Sequence, residues 1–142
     1  MNRFDFECGI SIELDNDNIK VNTYTGSRPK TEKDIYNILL TYKIYRNNEL
    51  LYTVWYDSGL QWKSMSEFTP DNFKNDLCSI SYQLLDTKWI FTKLYNGHFA
   101  ISLEEYEDNI AVIMTTSDEL NDFLDFLKTT YKKIISEATT LM

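Results

Sequence analysis

The chain has 142 residues, 43% apolar and 25% charged, which fits one globular domain over 1–142 and excludes wholesale disorder. Fourteen basic against 22 acidic side chains leave a net charge of −8, which argues against a nucleic-acid binder. No apolar run approaches the roughly 18 residues of a membrane span. The start, Met1-Asn2-Arg3-Phe4-Asp5, lacks an apolar export segment, so a cytoplasmic location with reduced cysteines is expected.

Residues 4–14 alternate with a period of two. Phe4, Phe6, Cys8, Ile10, Ile12 and Leu14 share one parity, the pattern of a half-buried strand. Asp15-Asn16-Asp17-Asn18 reads as a turn, and Ile19, Val21 and Thr23 as the return strand of a hairpin pairing Leu14 with Ile19. Residues 25–34 are polar and read as an exposed loop. A second hairpin is predicted from about Ile38 to Asp57. A two-residue turn at Asn47-Asn48 sets Arg46 against Glu49, Ile44 against Leu51 and Tyr42 against Thr53.

Thr69-Pro70 has the chemistry of a helix start, and Phe73, Leu77, Ile80 and Leu84 follow at helical spacing, predicting a helix over about 70–86. Trp89–Tyr95 and Phe99–Leu103 flank Asn96-Gly97, the most favourable hairpin turn pair, and Asn109–Thr116 completes a three-strand meander. Thr116 and Glu119 form a capping box for a closing helix over about 117–138. Its apolar stripe is Leu120, Phe123, Leu124, Leu127, Tyr131, Ile134, Ile135 and Ala138. Hairpins without strand–helix–strand alternation predict an α+β class: a largely antiparallel sheet of about 6–7 strands, two helices on one face and no internal repeat.

Catalytic and metal signatures are missing, so no catalytic residue, metal or cofactor is expected. Four scattered glycines make no phosphate loop, and no serine or cysteine stands in a nucleophile motif. Cys8 and Cys78 have no histidine at ligand spacing and are expected to be buried thiols. Asp15–Asn18 fails the calcium-loop pattern at its later positions. His98 reads as an exposed or aromatic-stacked turn residue, there being no positioned acid or nucleophile for it to serve.

Charge is distributed unevenly. Glu104, Glu105, Glu107, Asp108, Asp118, Glu119, Asp122 and Asp125 occur in a stretch without lysine or arginine, and outside it acids and bases balance. Part of this complements the closing helix, but Glu104–Asp108 falls between strands and is left over. In the expected two-residue register, Trp89, Phe91, Tyr95 and His98 share a face opposite Phe99, Ile101 and Leu103. The partner-binding residues expected are therefore Glu104, Glu105, Glu107, Asp108, Asp118, Asp122, Trp89 and Tyr95.

These features imply a small acidic protein-binding module for a basic protein partner, as monomer or homodimer. The build, with no diagnostic motif, is similar to that of bacterial immunity proteins, which neutralise a cognate toxin. The competing readings are a small-ligand or enzymatic α+β domain with a pocket between sheet and helices, and a dimeric chaperone or adaptor.

Overall fold

The computed structural model describes residues 2–15 and 38–140, with the backbone alone for 135 and 137–140. The return strand expected at 19–23 and the loop at 25–34 lie outside the described residues. The α+β class holds, with eight strands in two four-stranded antiparallel sheets among the described residues. Sheet one runs β1 (Arg3–Asp5), β2 (Ile10–Leu14), β3 (Leu39–Arg46) and β4 (Glu49–Ser58), and α1 (Gly59–Ser66) follows. Sheet two runs β5 (Ser79–Gln83), β6 (Thr87–Lys93), β7 (His98–Glu105) and β8 (Asp108–Thr116), followed by α2 (Ser117–Thr140).

The chain thus uses one design twice: four strands in sequential order, then a helix that leaves the fourth strand without a loop. Both helix starts are pinned alike, Gly59 N–H donating to Ile38 O (2.8 Å) and Ser117 N–H to Gly97 O (3.0 Å). Leu40, Tyr42 and Ile44 on β3 correspond to Phe99, Ile101 and Leu103 on β7, and Trp62 and Met65 on α1 to Leu120 and Phe123 on α2. All ten are buried. The two inner faces and both helices close on one apolar cluster. Within it Trp89 stacks near Phe123 (ring centroids 6.0 Å), which also meets Phe4 (5.3 Å).

Three hairpins share a further device. Asn47-Asn48, Asn96-Gly97 and Tyr106-Glu107 all have positive φ at both positions, the type I′ turn that matches strand twist. Each is followed by an extra residue on one strand. Beyond Asn47-Asn48, Ile44 pairs with Tyr52 and Tyr42 with Val54, not with Leu51 and Thr53. Beyond Asn96-Gly97, Leu94 N–H reaches His98 O (2.8 Å) and Lys93 pairs with Phe99. That single-residue slip turns β6 over, because side chains alternate with period two. Trp89 and Phe91 face the core, and the outer face carries Ile90, Thr92, Ala100 and Ser102.

Other expectations are corrected. Residues 4–14 are not one strand: Glu7-Cys8-Gly9 is a turn joining β1 to β2, Phe6 N–H donating to Ile10 O (2.8 Å). Cys8 is therefore exposed, and so is Cys78, just ahead of β5. No helix spans 70–86. Thr69 and Asn72 form a capping box, but it closes only one 3-10 turn at Pro70–Asn72. Ser79–Gln83 then pairs with β6 as an edge strand, the alternation Ser-Ile-Ser-Tyr-Gln prevailing over the helical stripe. The earlier helix is instead α1, which packs against α2. Thr116 does accept from Glu119 N–H (3.4 Å), while the Glu119 carboxylate binds Thr115 Oγ1 (2.6 Å) and Glu7 N–H (2.8 Å). Along α2, Leu120, Phe123, Leu124, Leu127, Tyr131 and Ile134 are buried; the side chains of Ile135 and Ala138 lie outside the described set.

Candidate functional site

β8 divides the expected acidic surface. Its nine residues, at about 3.3 Å each, hold its two ends roughly 30 Å apart. At one end are Glu104, Glu105, Glu107 and Asp108, where β7 turns into β8. At the other are Asp118 and Asp122 in the first turns of α2, with Tyr95 in the β6–β7 turn that lies beside them through the Ser117–Gly97 bond. Trp89 belongs to neither group: it is 0% exposed.

The β7–β8 end gathers more than the sequence indicates. Asp86 O accepts from Tyr106 N–H (3.2 Å), and the Tyr106 phenol, bonded to the Asp86 carboxylate, has its pKa raised by that bond first and by neighbouring charge second. Gln83, Asp86, Lys88, Glu104 and Glu107 line a hollow of about 170 Å³ there. From the other sheet Tyr52 of β4 approaches. Partial burial, then hydrogen bonding and charge from Glu105, raise its pKa. One surface thus joins the acidic turn to β4, whose residues Leu50 to Tyr56 carry no charge.

Among the described residues β4 is the edge of its sheet, and its large side chains are open to solvent: Trp55 is 61% exposed, Tyr56 54% and Leu50 54%. A bulge explains Trp55 and Tyr56. Leu40 pairs with Asp57 and Tyr42 with Val54, so both residues oppose Thr41, whose Oγ1 donates to Trp55 O. Tyr106, 67% exposed at φ +52, and Glu107 at φ +70 hold left-handed backbone that ordinary side chains rarely adopt. The equivalent turn of the first half uses Asn47-Asn48, residues suited to it.

At the far end Asn2, Asp122, Asp125, Phe126, Thr129, Thr130 and Lys133 line a shallow hollow of about 300 Å³. His98 is exposed, its Nδ1 3.2 Å from Tyr95 O, a bond within its own turn.

A second polar constellation lies inside the molecule, around Asp57. Its carboxylate is 0% exposed and accepts from five neutral donors. These are Tyr42 Oη (2.7 Å), Ser58 N–H (2.8 Å), Gln61 Nε2 (3.1 Å), Trp62 Nε1 (3.3 Å) and Trp89 Nε1 (3.3 Å). Burial pushes its pKa up to about 6 against the pull of those bonds. Sequence reasoning overlooked Asp57 because an acid at a strand end resembles surface; only the placement of Trp62 and Trp89 over it reveals a buried group.

Comparison of the chain with protein-family models, curated proteins and solved structures finds no match in any of the three. Among the described residues, no group of acids, histidines and cysteines is placed to hold a metal ion, and no helix is long and apolar enough to cross a membrane.

Proposed function

We propose that this chain is a protein-binding module that docks a basic partner protein, acting in the cytoplasm as an inhibitor of the immunity type. The observation that carries this reading is the junction at Tyr52 and Glu105, where the acidic β7–β8 turn meets the uncharged edge strand β4. Accessible tyrosine and tryptophan beside carboxylates suit an interface in which aromatic side chains anchor and charge accelerates encounter. The strained Tyr106-Glu107 turn supports the same reading, since costly backbone persists at sites kept for contact. Asp118 and Asp122, roughly 30 Å away, add to the overall field without touching the partner, and Tyr95 beside them lies outside the contact.

The test is native mass spectrometry of the protein isolated from its own host at low and high salt. A stoichiometric heteromer that dissociates as salt rises is expected. Glu107→Lys with Asp108→Lys should slow association and flatten its salt dependence, and Trp55→Ala should speed dissociation, while Asp118→Lys with Asp122→Lys leaves the contact intact. A chain that carries only a small molecule, or variants at the β7–β8 turn that bind unchanged at low salt, would overturn the reading.

A further inference from the structure

The Asp57 constellation spans both halves of the fold. Tyr42 and Asp57 belong to sheet one, Gln61 and Trp62 to α1, and Trp89 to β6 of sheet two. Gln61 extends the bridge: its Nε2 donates to Thr87 O (3.2 Å), and its Oε1 accepts from Leu84 N–H (2.7 Å), both in the second half. Trp89 Nε1 also reaches Tyr42 Oη (3.2 Å), so the one titratable group of the first half that faces Asp57 among the described residues is itself bonded across the joint. Gln61, Trp62 and Trp89 do not titrate, the Ser58 contact is a backbone amide, and none of the ion pairs among described residues includes Asp57. A charge on this carboxylate is therefore dispersed over dipoles and met by no cation among the described residues, a costly arrangement in a dry interior.

We propose that Asp57 is a pH-sensitive joint between the two halves, firm when it carries a proton and weakened by an uncompensated buried charge as the medium goes from acid to neutral. The sign follows from linkage. The folded pKa, about 6, lies above the ordinary 3.8, so the folded state holds the proton more tightly than the unfolded chain does. The stability this confers is complete below the ordinary value and is lost as pH rises through about 6. The direction is opposite to that of an ion-paired surface acid such as Asp5. Its pKa is lowered by Ser11 and then by Arg3, and its contribution disappears on acidification.

Urea unfolding of the wild type and of Asp57→Asn, a neutral side chain of the same size, tests the joint between pH 4 and 7.5. The ratio of their unfolding constants should rise about tenfold per pH unit from pH 4 to 6 and then level off. The Leu84 amide, which donates across the joint, should lose protection relative to amides within either sheet over the same range in the wild type alone. Parallel curves for the two proteins, or equal loss at Leu84 and within the sheets, would overturn the proposal. If Asp57→Asn does not fold, NMR of the Asp57 carboxyl in the intact chain decides. A midpoint near 6, moved higher by Trp89→Phe, supports the joint, and one near the ordinary value overturns it.

Discussion

At Gly9 the backbone is left-handed and a side chain would have to displace that of Asn47. Its φ is +96°, and an added Cβ would stand 2.4 Å from Asn47 Oδ1, in the turn of the neighbouring hairpin. Gly97 also has positive φ, +72°, but the nearest atom to its added Cβ is Ser117 Oγ at 3.8 Å. Gly97→Ala should thus show the backbone cost alone, about 1 kcal/mol, and Gly9→Ala a cost of the same order, since Asn47 Oδ1 ends a side chain that can turn aside. Urea denaturation measures both, and a much larger loss at Gly9 would show that Asn47 does not give way. Single residues with local signatures were legible from sequence: the Thr116–Glu119 cap is half made, and His98 bonds within its turn. Asp57, Cys8 and Trp89 were not, because their environments are set by elements distant in the chain.

The turns carry the same contrast at the scale of elements. Tyr106 and Glu107 occupy a type I′ turn in which Asn-Gly is the favoured pair. Replacing them together, Tyr106→Asn with Glu107→Gly, should raise stability by about 1–2 kcal/mol by relieving two left-handed side-chain conformations. The same change should weaken partner binding, and thermal unfolding beside a binding assay reads both. A stability unchanged or lowered would show that the Tyr106–Asp86 contacts outweigh the backbone cost. Turn chemistry made all three meander strands and the β3–β4 hairpin readable. The register was readable at the Asn47-Asn48 turn, where Arg46 pairs with Glu49, but not beyond it, since the extra residue in each hairpin has no composition of its own. At Asn96-Gly97 that residue moved Trp89 and Phe91 from an expected surface into the core. The helix expected over 70–86 failed for another reason. Phe73, Leu77, Ile80 and Leu84 satisfy helical spacing, yet Leu77 turns to φ +65 and β5 completes a sheet that would otherwise end at β6.

For the whole molecule the repeated architecture is the main finding, and its concealment in the sequence is understandable. Equivalent positions keep only apolar character, Tyr42 against Ile101 and Trp62 against Leu120, because packing constrains volume and polarity more than identity. The acidic excess was legible as a total, while its division between two ends needed the length of β8. The halves share one core and a buried carboxylate, so neither encloses its apolar face alone.

Two like halves joined by the single segment 67–78 have a topological consequence. Every contact that closes one half upon the other in a single molecule is equally available between two molecules, with the segment opened as a hinge. Concentration then chooses between closed chains and exchanged pairs. Refolding at high concentration should give a dimer on size exclusion with unchanged far-ultraviolet circular dichroism, and refolding at high dilution should not. Such pairs, once formed, would separate only as slowly as the halves unfold from each other.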